Sequence, residues 1–371
     1  MNTDANATDV INSMEKKIWN MSLMEFSDGS LYQTTAYGDV FWKESNCKRI
    51  AVKKKDDLMA MALVRRLPVP LVQLYYLRWG PVWRRGDKHD IESFGIAIDR
   101  LVTCCARKPT QSIRIVPAVY DHEEWAPDVI KCLESKGFKR ASDKIDAAYH
   151  TIFLPLDRSL EEIRKGADRR WRQQLNKAEK YEFTVTIGNG PDVVEKMMSI
   201  YREMLTRKKL TLFIEIERFV ELQSLLPEPE KLQIVLAEFE GKPVAFTMVS
   251  VCGDNAVVLF AGTAGDALRT NASYFTWWKT IEYLVNDRKV RMLDLCGVDK
   301  KRNPGGYQFK SKLAGKTGFV VSSIGTFEKH GGIVSYLFLK ELSLLRQARI
   351  LSFRVMGSIN AKLRKKKPTL K

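Results

Sequence analysis

Two stretches of this chain combine residue types and spacings that can do chemistry at a ligand. The more distinctive is DLCGVDKKRNPGGYQFK, residues 294–310. An apolar strand that runs into a glycine-rich loop and then meets an aromatic–lysine pair is a typical site edge. Gly297, Gly305 and Gly306 let backbone approach a ligand closely. Lys310, beside Phe309, presents a partly desolvated cation to negative charge that develops in a reaction. The same residues also suit a plain loop with a surface lysine.

The second stretch is KGADRRWRQQLNKAEK, residues 165–180. Lys165, Arg169, Arg172 and Lys180 fall near one helical face at three- and four-residue spacing, with Trp171 offset from them. A solvated surface helix is the commoner fate of such a run. The functional alternative is contact with nucleic-acid phosphates through Lys165, Arg169, Arg170 and Arg172. Other chemistries leave no trace. Residues 261–274, AGTAGDALRTNASY, lack the Q/R-x-x-G-x-G/A turn that holds the pyrophosphate of coenzyme A at a helix N-terminus. Phosphate-loop, serine-elbow and dinucleotide fingerprints are missing as well.

The elements that must position these residues read as mixed α/β. In the first half, 49–53 and 58–63 form a hairpin, and 69–74 is a further strand. Ile91 to Cys105 is a helix, 112–116 a strand, and 123–137 a helix stopped by glycine. Ser159 with Glu162 is a capping box that opens a helix over 159–180, with a break near Gly166. Residues 183–187 are a strand and 193–209 a helix. Strands 232–239, 244–251 and 256–261, joined by tight turns at Gly241 and Gly253, make a meander. The helix 274–285, the strand 292–295 and a loop over 296–306 follow. This order predicts a first lobe over 1–156, a second over 157–330, and a C-terminal helix over 331–371 that packs back on lobe one and ends in a basic tail.

At 371 residues, with 45% hydrophobic and 28% charged residues, the chain has the material for two cored domains. Net charge is +17, and residues 340–371 hold ten Lys or Arg against one Glu. A polyanion is the natural partner: nucleic acid, a phosphorylated substrate or an anionic membrane face. The six cysteines show no C-x-x-C spacing, and the four histidines lie far apart, so no metal is expected. Neither a secretion signal nor a membrane-spanning run is apparent. The expected location is the cytoplasm, with peripheral contact at the inner membrane face through the tail.

Taken in order, several pieces resemble the FemABX family, the tRNA-dependent aminoacyltransferases of peptidoglycan interpeptide bridges. They are Tyr32-Gln33 with Tyr37-Gly38, RWGPV over 78–82, RQQLNKAEK over 172–180, GKPVA over 241–245, the 294–299 block, and GYQFK over 306–310 with LAG over 313–315. The resemblance spans residues 32–327. It implies two acetyltransferase-like (GNAT-like) lobes with an acceptor between them, Phe309 and Lys310 on the reaction channel, and Arg207 near the acceptor's phosphates. The substrate-binding candidates are Phe309, Tyr307, Asn303, Arg207, Phe260, Thr263 and Tyr274. Three positions depart from the family pattern. An early lysine falls on Phe41, an acidic residue falls near Trp83 or Arg84, and a tyrosine is replaced by Phe260.

The expected reaction is attack of an acceptor amine on the acyl ester of aminoacyl-tRNA, with Lys310 steadying the oxyanion or the leaving oxygen. It needs neither an enzyme nucleophile nor a cofactor. The acceptor would be a peptidoglycan precursor or a related nucleotide- or lipid-linked envelope molecule. A coenzyme A-dependent N-acyltransferase of the same fold, with acetyl-CoA or acyl-CoA as donor, is the first rival. A non-catalytic RNA-binding protein is the second.

Overall fold

A computed structural model describes residues 8–11, 14–86, 90–141, 149–208, 216–301 and 303–341. The first half contains β1 (Thr8–Ile11), α1 (Lys16–Leu23), α2 (Thr35–Trp42), β2 (Cys47–Lys54), β3 (Asp57–Val69), β4 (Val72–Arg78), α3 (Ile91–Cys105), β5 (Gln111–Val116), α4 (Ala126–Ser135) and β6 (Lys139–Arg140). The second half continues with β7 (His150–Pro155), α5 (Leu160–Gly166), α6 (Arg169–Ala178), β8 (Thr184–Gly188), α7 (Pro191–Lys208), α8 (Ile216–Leu225), β9 (Gln233–Phe239), β10 (Lys242–Cys252) and β11 (Asn255–Thr263). Then come α9 (Ala272–Asn286), β12 (Met292–Asp294), α10 (Pro304–Ala314), β13 (Phe319–Ser322) and β14 (Phe327–His330).

These strands form two seven-stranded mixed sheets, ordered β1-β2-β3-β4-β5-β14-β6 and β13-β7-β12-β11-β10-β9-β8. Each sheet is antiparallel except for one parallel pair, β4 with β5 in the first and β11 with β12 in the second. Sheet membership differs from the expected boundary at 156/157. Residues 150–155 belong to the second sheet, and β14, expected in the second lobe, pairs with β5 and β6 of the first. The chain therefore crosses between lobes twice, and the crossings hold each other. Ser323 N–H donates to Tyr149 C=O at 2.8 Å, while Tyr149 N–H donates to Ser323 Oγ at 3.1 Å.

The lobes also share a core. Trp19, Leu23, Phe26, Tyr37 and Met61 of the first half bury in one cluster with Met197, Tyr201, Phe219, Phe246 and Met248 of the second. Apolar burial continuous across the junction makes the cleft between lobes a fixed geometry. Separate cores lie under α3 and α4, and under α6, α9 and α10. The capping box at Ser159 is present, and helix stops at Gly166 and resumes at Arg169, where Asp168 accepts from Arg170 N–H at 2.8 Å.

The principal local surprise is α10. The stretch 304–306, expected as loop, is its first turn. Pro304 sits at the first helical position, where a missing N–H costs nothing, and Asn303 caps the helix through Oδ1, 3.0 Å from Gly306 N. At the C-terminal end, helix resumes over 333–341 after Gly331 and Gly332, which press on the 106–109 loop of lobe one. Ser335 N–H donates to Pro109 C=O at 3.2 Å. Ile333, Val334 and Leu337 are exposed. The basic tail beyond 341 lies outside the described residues.

Candidate functional site

The C-terminal ends of parallel strands are where open mixed sheets bind ligands, because the strand order leaves a crevice there. Both parallel pairs here contribute to one cavity of about 870 Å³. Its first-lobe wall is Tyr76, Arg78 and Trp79 at the end of β4, with Val116 at the end of β5. Its second-lobe wall is the segment after β12, from Gly297 to Lys301, with Asn303, Gly306, Tyr307 and Lys310 of α10. The two crossings add Tyr149, His150, Ser323 and Thr326, and β13 adds Val320.

Lys310 reaches this cavity half-buried. Its Nζ donates to the Cys296 carbonyl at 3.1 Å and the Gly297 carbonyl at 3.2 Å. Those carbonyls are aimed by a buried aspartate. Asp294, at the end of β12, accepts from Cys296 N–H at 2.7 Å and from the Thr151 hydroxyl. Cys296 adopts a left-handed φ of 67°, unfavourable for a side chain, and the Asp294 bond helps to hold it there. Burial pulls Lys310 below the usual lysine pKa, opposed by its neighbours Cys296 and Asp294. Burial likewise pushes Asp294 up to about 6, against the hydrogen bonds and the Lys310 charge that favour its ionised form. An ammonium has three donors, so two carbonyls leave one N–H for a ligand.

The other predicted residues divide clearly. Asn303, Tyr307 and Lys310 are brought together on one face of α10. Phe309, expected on the channel, instead points into the second-lobe core among Tyr274, Trp277 and Trp171, at centroid distances of 4.9, 5.4 and 6.0 Å. Tyr274 is part of that aromatic packing and does not line the cavity. Phe260 packs edge-on against Tyr201 and Phe219 in the shared core. Arg207, on α7, donates to the Thr263 carbonyl at 2.9 Å, away from the cavity. Lys165, Arg169 and Arg170 are exposed, and Arg172 is half-buried with its Nε unpartnered. This basic surface also lies outside the cavity, though it is tied to α10. Asp168 N–H donates to Lys312 C=O at 2.8 Å and Lys316 N–H to Gly166 C=O at 2.9 Å.

Sequence reasoning did not single out Tyr76, Val116, Tyr149 or His150. Arg78 and Trp79 stood among the family-like pieces without a role. No local pattern marks such residues, which become neighbours only when the lobes close.

A family model described as acetyltransferase (GNAT) domain matches residues 165–311. No curated protein matches the sequence. Among solved structures, FemX superposes with a TM-score of 0.73 at 14% identity, covering 90% of this chain and 100% of that one. L-PGS from Bacillus licheniformis gives 0.54 at 11% identity, covering 89% and 96%. A conserved protein of unknown function from Bacteroides thetaiotaomicron gives 0.56 at 11% identity, covering 84% and 98%. No helix among the described residues is long and apolar enough to cross a membrane. The chain has the FemX fold, in which two GNAT-like lobes meet across a cavity, as its resemblance to the FemABX family implied.

Proposed function

We propose that this chain is an acyltransferase that joins an acyl group, carried as the ester of aminoacyl-tRNA, to an amine of a peptidoglycan precursor or related cell-envelope acceptor. The observation that carries this reading is Lys310, a half-buried cation with one uncommitted donor, in a cavity walled by both lobes. The acceptor nitrogen attacks the ester carbonyl, forming the C–N bond and a tetrahedral oxyanion. Collapse breaks the C–O bond to the tRNA ribose, the amine loses its proton to solvent, and the leaving oxygen gains one. Lys310 donates to the oxygen on which charge collects. The lobes supply alignment, and the ester supplies the activation.

A coenzyme A donor is less well served. After β11, where GNAT enzymes hold the diphosphate, the Gly265 N–H already donates to Glu203 Oε1 at 2.6 Å. A carboxylate at that amide repels a diphosphate. The exposed cations Lys165, Arg169 and Arg170, with Arg172, suit the tRNA acceptor stem, one helix away from Lys310. The test is incubation with charged tRNA and a panel of envelope amines, read by mass spectrometry. Acyl transfer by the native protein and its loss in Lys310→Ala is expected. Transfer from acetyl-CoA but from no charged tRNA would overturn the donor assignment.

A further inference from the structure

On the first-lobe wall, the sequence pieces around Tyr32, Gln33 and Tyr37 converge on one side chain. The guanidinium of Arg78 lies 4.0 Å from the centre of the Tyr32 ring, and its Nη1 approaches the Tyr37 hydroxyl at 3.4 Å. The backbone beneath it is pinned as well. Gln33, fully buried, donates from Nε2 to the Arg78 carbonyl at 2.7 Å and accepts from Leu63 N–H at 2.7 Å. Trp79, next in sequence, adopts a left-handed φ of 52° and donates its N–H to Val116 C=O at 2.7 Å.

Among the described residues no carboxylate pairs with this guanidinium. The titratable groups around it are the tyrosines 32, 37, 76 and 149. A half-buried arginine is ordinarily matched by an acid, as Arg114 is by Glu328 and Arg84 by Glu123. Arg78 instead lines the cavity opposite α10, where Lys300, Lys301 and Lys310 add positive charge and Asp299 is the acidic residue among those described. One face is stacked and one N–H engaged, which leaves donors of a rigid fork toward the cavity.

The geometry points to Arg78 as a preorganised receptor for an oxyanion, carboxylate or phosphate, carried by the acceptor molecule. Its binding at Arg78 fixes the acceptor on the first-lobe wall and leaves the amine to reach Lys310 on the second. The assignment to the acceptor rests on the acyl-transfer reading; the anion subsite does not.

The full chain, without any donor, is titrated calorimetrically with inorganic pyrophosphate, with the dipeptide Ala-Ala, and with Ala-Ala amide. Saturable binding of pyrophosphate or the free dipeptide is expected, and whichever binds identifies the anion as phosphate or carboxylate. The amide should bind at least about tenfold more weakly than the dipeptide if the carboxylate is the ligand. Arg78→Gln should lower anion affinity at least about tenfold, and Arg78→Lys, which keeps the charge without the fork, by severalfold. Lys131→Gln, an exposed cation on α4, should change nothing. If Arg78→Gln unfolds, Arg78→Lys and Tyr37→Phe carry the test, the latter by releasing the guanidinium. Absence of saturable binding by both anions overturns the inference, as does wild-type affinity in the Arg78 variants. Anion binding that depends on Arg78 in a protein that transfers no acyl group would overturn the proposed function and leave the subsite standing.

Discussion

Replacing Lys310 with alanine isolates the chemical role of the cavity's central cation. Lys310 offers one donor beyond the two spent on the Cys296 and Gly297 carbonyls. Removing a single preorganised oxyanion donor costs about 10²–10³ in kcat, or roughly 3–4 kcal/mol of transition-state stabilisation. The two released carbonyls border a cavity that water can enter, so the fold should lose no more than about 1 kcal/mol. Turnover should thus fall by two to three orders of magnitude while thermal unfolding barely moves.

The pH profile separates this role from a packing role. In the proposed role Lys310 acts only when protonated, so its contribution is present below its pKa and lost as pH rises through it. Burial sets that pKa below the ordinary 10.5, opposed by Cys296 and Asp294. The wild-type kcat, at saturating acceptor and corrected for spontaneous ester hydrolysis, should therefore decline at an alkaline pH earlier than a free lysine would dictate. In Lys310→Arg, whose charge persists throughout that range, the decline should disappear, though the longer side chain lowers the plateau. Turnover in Lys310→Ala within threefold of wild type, or an unchanged alkaline limb in Lys310→Arg, would refute the assignment.

Three further outcomes follow from the same structure. Glu230 is 5% exposed, its Oε2 has no hydrogen-bond partner, and burial raises its pKa from 4.5 to about 7. A folded-state pKa above the unfolded one contributes stability that is full below the unfolded value and lost as pH rises through the folded value. Glu230→Gln should therefore match wild type near pH 4.5 and exceed it at pH 8 by up to about 3 kcal/mol in denaturant unfolding. A Cβ at Gly315, where φ is 53°, would sit 2.1 Å from the Gly166 carbonyl oxygen. Gly315→Ala should cost at least about 2 kcal/mol and, by shifting α10 off the α5–α6 junction, lower turnover as well. Arg169→Gln with Arg170→Gln should weaken tRNA binding and flatten its log–log salt dependence by about 0.7–0.9 per cation, leaving anion binding at Arg78 intact; an unchanged slope would remove α6 from the tRNA surface.

How much of this was legible beforehand depended on whether a feature is local. The meander of β9, β10 and β11, the helix Ile91–Cys105 and the capping box at Ser159 were readable because turn residues, periodicity and caps act within a few residues. The helix α10 was not, since consecutive glycines argue against helix and mask the Asn303–Pro304 start signal. Phe309 was placed on the channel by the family resemblance, as the neighbour of Lys310. In a helix they point about 100° apart. Positions 303, 306, 307 and 310 then fall on one stripe, facing the cavity, while Phe309 and Leu313 turn into the second-lobe core.

The arginine socket was illegible for a different reason. Tyr32 and Arg78 are separated by forty-odd residues, and Arg78 and Lys310 by more than two hundred, so neither pairing leaves a periodic or spaced signal in the chain. What places these cations on facing walls is the topology: β4 and β12 each belong to their sheet's one parallel pair, and each ends at the cavity. Two crossings and a shared apolar core hold the lobes in register. A single lobe would present Arg78 or Lys310 alone on an open rim, where water screens the charge and no substrate is gripped from both sides. On the proposed reading, the two-lobed arrangement holds one cation for a ligand's standing charge and the other for the charge that appears during reaction. On that division of labour, loss of Arg78 should appear chiefly in KM for the acceptor and loss of Lys310 chiefly in kcat, and the reverse pattern would undo it.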